Sequence, residues 1–313
     1  MTLRTQKKIS AAIIGVTVLV GLESLLYIIN LNQPEIFLNL SFWFWMYLAV
    51  VMAFWYDLHF KNPGALARAK ARHESVNHWL RRALRVWSSA FWDRIEHFRR
   101  WRYFKHWQNY LILPGLTFWA TAAMLYLDFG QKGTQQVFVV LSSAALITTF
   151  LYLKEIFRRR KDEVDSDAFV ALSVVKIYTA GLLFGAGLAI TRRFCLGEWL
   201  YAALVLCLTF LLVYQALFQH AFIRLFTIGV ALLIAAAMAI IAYFVYIYWG
   251  YNFYTAAIFM AAFYNLFWGV FHYYLDHALT QRVFWEIFAV SLLVAAMVIQ
   301  ATNFRARLLD SCF

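Results

Sequence analysis

FIRLFTIGVALLIAAAMAIIAYFVYIYW, residues 222–249, decides the fold. Its one charge, Arg224, lies in the first turn, and it contains no proline. A helix rises ~1.5 Å per residue and a bilayer core is ~30 Å thick, so about 20 apolar residues suffice to cross. Working outward, eight more stretches of this kind follow the same pattern. The candidate spans are Ile9–Ile29, Ile36–Tyr56, Tyr110–Leu127, Gln135–Leu153, Ala168–Ile190, Leu196–Phe218, Phe222–Trp249, Tyr251–Tyr274 and Val283–Ala301.

Composition agrees. Of 313 residues, 64% are hydrophobic and 14% charged, against roughly half and a quarter in soluble domains. One globular core cannot bury that excess, so lipid must take up part of it. Pro is scarce (3 residues) and Gly moderate (13), which predicts mostly unbroken helices. The expected fold is all-α: a polytopic integral membrane helix bundle of about nine transmembrane helices, forming a single membrane domain over 1–313. Ile9–Ile29 follows Arg4, Lys7 and Lys8. It is too long for a signal-peptide core, and no small-x-small cleavage site follows it, so it reads as an uncleaved first span.

The net charge of +12 would suggest nucleic acid in a soluble protein. Here the collection of Lys and Arg in cytoplasmic loops explains it, and no nucleic acid is expected. With the N-terminus in the cytoplasm, 22 of the 28 basic residues fall inside. Lys132, Arg192, Arg193, Arg305 and Arg307 fall outside, and Lys176 lies within a span. The expected localisation is therefore an integral, multi-pass membrane protein with a cytoplasmic N-terminus, by default in a bacterial inner membrane. Trp43, Trp45, Tyr56, Trp199, Tyr201, Trp249, Tyr251, Tyr273 and Tyr274 crowd the span ends, as an interfacial aromatic belt does. The cysteines Cys195, Cys207 and Cys312 imply no metal knuckle and no disulfide framework. Cys207 reads as a packing residue inside an apolar run.

Residues 57–108 form a cytoplasmic basic amphipathic insert. Val76, Leu80, Leu84, Trp87, Phe91, Ile95, Phe98 and Trp101 recur every three or four residues, predicting a long helix. Arg81, Arg82, Arg85, Arg94, Arg99, Arg100 and Arg102 cover its other faces. Such a helix suits the membrane interface, with arginines on anionic headgroups. It equally suits a structural cover across the bundle's cytoplasmic face, and a third option is a docking surface for a partner subunit. The lipid- or partner-binding residues are Arg81, Arg82, Arg85, Trp87, Phe91, Arg99, Arg100, Trp101 and Arg102.

His73 and His78 have the spacing of one histidine box of membrane desaturases, but the further boxes of that class are absent. Five residues turn a helix by about 140° past a full circle, which is poor for holding one ion. The eighth span is more informative. Asn265, Gly269, His272 and Asp276 fall on one stripe, and a polar stripe in a span faces the bundle interior. His272 is the candidate base or metal ligand. Asp276, four residues on, is a second ligand or the group that orients the imidazole. His277 joins them only if the helix ends there. Lys176, Glu286, His220 and Glu155 lie at similar depth and converge on the cytoplasmic third of the bundle. The plainer reading pairs His272 with Asp276 at the water boundary, pairs Glu286 with Arg282, and has Lys176 snorkel or meet an acid. Two ligands name no metal, and no cofactor is specified.

No G-x-S-x-G elbow, P-loop, zinc-protease helix or dinucleotide fingerprint is present. The expected function is a structural or interaction subunit of a membrane assembly, or a lipid-interacting protein. The alternative is a membrane-embedded enzyme acting on a lipid or other apolar substrate through a pocket at His272 and Asp276. Few intramembrane charges and no internal repeat disfavour a transporter or channel.

Overall fold

In the computed structural model the described residues are 3–50, 101–127, 132–158, 166–219, 225–249 and 252–302. They form nine helices: α1 (Leu3–Asn30), α2 (Pro34–Val50), α3 (Trp101–Leu127), α4 (Lys132–Arg158), α5 (Ser166–Arg193), α6 (Glu198–Gln219), α7 (Leu225–Tyr248), α8 (Phe253–Leu275) and α9 (Gln281–Ala301). Seven of these, α1 and α4 to α9, are long and apolar enough to cross a membrane, compatible with a multi-pass integral membrane protein. In α3 the apolar part is the shorter stretch Leu111–Leu127, and α2 is described over 17 residues.

The helices overrun the apolar stretches that predict them. The third is described from Trp101, nine residues before the expected span, so the end of the basic insert lies within α3. No Gly or Pro stands between Trp101 and Tyr110, and nothing else there breaks a helix. Hydropathy marks where lipid ends; breakers and caps mark where helices end. Three ends show this directly. Asn32, Cys195 and His277 each adopt positive φ just beyond α1, α5 and α8. At the last two the backbone closes a paired cap: Leu196 N–H donates to Thr191 O and Cys195 N–H to Arg192 O, while Ala278 N–H donates to Tyr273 O and His277 N–H to Tyr274 O. This is the Schellman arrangement, with Cys and His where Gly is usual.

Two apolar cores share a wall. Ile14, Val18, Leu22 and Leu25 of α1 pack with Phe37 of α2, Phe118 of α3 and Leu146 of α4. The larger core joins Met124 of α3 and Leu153 of α4 to α5–α9 through Phe184, Tyr201, Met238, Tyr264 and Trp268. Helices α3 and α4 face both.

Lipid tails are as apolar as Leu, so helix association in a membrane relies on close packing and buried hydrogen bonds. Both occur around α5. A hydroxyl network ties it to α3 and α4: Thr117 to Thr179 at 2.7 Å, Thr121 to Ser142 at 2.7 Å, and Ser142 to Tyr178 at 2.8 Å. On another side, Gly181 and Gly185 bring α5 against α8. A Cβ at Gly181 would lie 3.5 Å from the Ala261 Cβ, and one at Gly185 would lie 2.9 Å from the Ala257 Cβ and 3.4 Å from the Phe253 carbonyl. Gly-x-x-x-Gly thus meets Ala-x-x-x-Ala, and the two backbones nearly touch. At the far end of α5, Arg192 donates to the Tyr246 carbonyl and, at 2.8 Å, to the Trp249 carbonyl, satisfying the last acceptors of α7.

Cys207 corrects its expected role: its thiol is exposed on α6 rather than packed in the core.

The seam predicts a sharp position dependence. Gly185→Leu forces α5 and α8 apart and is expected to lower the melting temperature of the detergent-purified protein by many degrees. Gly229→Ala on α7, where a Cβ meets nothing within 4 Å, is expected to leave it unchanged or raise it slightly. Equal effects at both positions would refute the close seam.

Candidate functional site

Below the glycine seam, the antiparallel register of α5 and α8 continues. Gly185 faces Ala257 and Gly181 faces Ala261. About one and a half turns further, Lys176 of α5 meets Trp268 of α8, its Nζ 5.5 Å from the ring centroid. Lys176 is 1% exposed and Trp268 2%. The ammonium therefore lies over an indole face inside the bundle, a cation–π contact strengthened by the loss of water. Snorkelling to the surface, one of the expected outcomes for Lys176, does not occur.

One turn along α8, the His272 imidazole stacks on the same indole, with centroids 5.6 Å apart and planes 22° from parallel. Another turn on, Asp276 Oδ2 lies 3.7 Å from His272 Nδ1. That is ion-pair range, longer than a hydrogen bond. The side chains of His272 and Asp276 are 19% and 26% exposed. Ammonium, indole, imidazole and carboxylate thus form a row from dry interior to the bundle end. Its spacing of four along α8 stacks each group over the next.

Helix α8 stops at this row. Asp276 is its C-cap and its backbone N–H donates to the His272 carbonyl. His277 follows at φ 55°, exposed in the turn to α9. A left-handed non-glycine residue stores a small strain, and such positions concentrate at functional turns. A carboxylate at a helix C-terminus also opposes the helix dipole. Two local preferences are thus overridden within two residues.

The remaining expected site residues separate. The Asn265 amide donates to Ser291 Oγ of α9 at 3.5 Å, the outer limit of a hydrogen bond. A Cβ at Gly269 would touch Ile287 of α9 at 3.4 Å. These two stripe members therefore serve the α8–α9 seam, while Trp268 turns toward α5. Glu286 pairs with Arg282 at 2.8 Å on the exposed first two turns of α9, as in the plainer sequence reading. Outside that expected set, Glu23 of α1 accepts from Gln136 of α4 at 3.1 Å. His220, His73, His78 and the insert residues Arg81, Arg82, Arg85, Trp87, Phe91, Arg99 and Arg100 lie outside the described residues, as do the side chains of Trp101, Arg102 and Glu155.

No protein-family model, curated protein or solved structure matches this chain.

Among the described residues no group of three His, Cys, Asp or Glu side chains is placed to hold a metal ion. His272 and Asp276 could supply two ligands, or a base with its orienting carboxylate. Sequence reasoning missed Trp268, although it lies four residues before His272. An aromatic in an apolar span carries no signal until a buried cation is found against it.

Trp268 is the hinge of the row. Trp268→Ala removes the ring under both Lys176 and His272 and is expected to destabilise the bundle by about 3 kcal/mol. Trp268→Phe, which keeps an aromatic face, is expected to recover most of that. Thermal unfolding in detergent compares the two, and equal losses would mean that the aromatic face does not matter.

Proposed function

We propose that the chain is a structural or interaction subunit of a membrane assembly, crossing the bilayer nine times with its N-terminus in the cytoplasm. The observation that carries this reading is helix α9. Only 11% of its apolar window is buried, against 56% for α5. Its buried residues Ser291, Ala295 and Val298 form a narrow stripe of mostly small side chains against α8. Trp285, Val290, Leu292, Leu293 and Met297 face outward. Among the described residues the main packing of this helix is that thin seam, which leaves a broad apolar side for lipid or for a neighbouring subunit. The insert 57–108, basic and rich in Trp, adds an interfacial helix for anionic headgroups or a partner.

The row from Lys176 to Asp276 favours a second reading: a membrane-embedded enzyme acting on a lipid or other apolar substrate. In it His272 is the base or a metal ligand, and Asp276 holds the imidazole. The buried ammonium would meet an anionic group of the substrate.

Purification of the full chain from its native membranes in mild detergent separates the readings. The first expects a stoichiometric protein partner, and a monodisperse, partner-free particle would overturn it. The second expects bound metal or a retained lipid that His272→Ala removes. Unchanged metal and lipid content in that variant would end it.

A further inference from the structure

Glu23 stands in α1 seven residues short of Asn30, about 10 Å inside that end of the helix. It is half-buried, at the edge where α1 meets α4. Among the described residues its one polar partner is the Gln136 amide, which donates to Glu23 Oε2 at 3.1 Å. A neutral amide leaves the charge of a carboxylate uncancelled, and a charge within a span is costly unless paired or solvated. We propose that the α1–α4 face around Glu23 docks a transmembrane helix of another subunit, and that a Lys or Arg on that helix pairs with Glu23. The docking rests on the subunit reading, whose contact it places on α1 and α4.

The packing of α1 on α4 builds this face. The two helices run antiparallel: a Cβ at Gly15 would lie 2.9 Å from the Ile147 side chain, and further along Glu23 meets Gln136. On α1, Val16, Val20, Glu23 and Tyr27 follow steps of four, three and four, which is one stripe of a helix. Val16, Val20 and Tyr27 are exposed. On α4, Val137 and Val140 are exposed beside Gln136. The polar pair thus lies between two outward-facing apolar stripes.

Charge complementarity selects the occupant. Lipid tails satisfy the valines but not the carboxylate. The outward side of α9 differs here, since its one acid, Glu286, is already paired with Arg282. A second copy of this chain offers no match among the described side chains. Lys132, Arg192, Arg193 and Arg282 lie at helix ends, and Lys176, a base well inside a span, is buried against Trp268. A helix of a different subunit therefore supplies the cation. Gln136 holds Oε2 of Glu23, and Oε1 accepts from the partner's ammonium or guanidinium.

The test uses the full chain in its native membranes, with a benzophenone side chain at Val20 or Val137 and, on the alternative face, at Leu293 of α9. Irradiation is expected to join Val20 and Val137 to one other protein, through a transmembrane stretch that carries a Lys or Arg. Adducts with lipid alone, with a second copy of this chain, or with a stretch lacking a basic residue would each overturn the proposal. A protein adduct at Leu293 with none at Val20 or Val137 would overturn the docking site and leave the subunit reading standing. No protein adduct at any position and no co-purified partner would overturn both.

Glu23→Gln removes the charge at nearly constant shape. It is expected to cut the yield of adduct and of co-purified partner by about tenfold or more. Glu35→Gln, on the exposed first turn of α2, is expected to leave both unchanged. An undiminished yield in Glu23→Gln, or an equal loss in Glu35→Gln, would overturn the ion pair. A melting temperature for Glu23→Gln close to that of the wild type separates lost docking from lost fold. If that variant does not fold, the wild-type adducts at Val20 and Val137 still decide the proposal.

Discussion

The structure depends on how closely α5 approaches its neighbours. In lipid no hydrophobic force drives helices together, so contact requires shape and hydrogen bonds. Gly181 and Gly185 remove the side chains that would separate α5 from α8. Thr179 and Tyr178 supply the buried hydroxyls that tie it to α3 and α4. Over half of the apolar window of α5 is buried, the largest share among the seven spanning candidates.

That approach explains the polar row. A lysine in a span is costly unless solvated or held by a compensating group. The register that matches glycine to alanine carries Lys176 down onto Trp268. Trp268 in turn carries His272, and His272 stands beside Asp276. Cation, ring, imidazole and carboxylate are thus one consequence of two helices meeting at a glycine seam. The other end of α5 does separate work, with Arg193 against the Tyr126 ring of α3 and Arg192 on the carbonyls at the end of α7.

Much of the architecture was legible in the sequence because solvent writes it there. Long apolar runs between polar breaks located the seven helices long and apolar enough to cross a membrane, although they missed the ends. Helices continue into water until a cap stops them, so Trp101 and Arg158 belong to helices that the apolar stretches end short of. The site was legible in part. His272 and Asp276 were found because a helical spacing of four is visible in one strand of text. Lys176 was found because a charge stands out in an apolar span. Trp268 was not, since its role depends on another helix. Asn265 and Gly269 shared the stripe but serve α9, because a stripe some 100° wide can face two neighbours.

The most direct test of the α5–α8 seam is a pair of engineered cysteines, Gly181→Cys with Ala261→Cys, in a Cys207→Ser background. The 3.5 Å between their Cβ positions lies within the range a disulfide needs. The seam predicts spontaneous or mildly oxidised cross-linking of this pair, mapped by peptide mass spectrometry, and none for Gly181→Cys with Ala257→Cys. Cross-linking of the shifted pair alone would contradict the register, and with it the placement of Lys176 on Trp268.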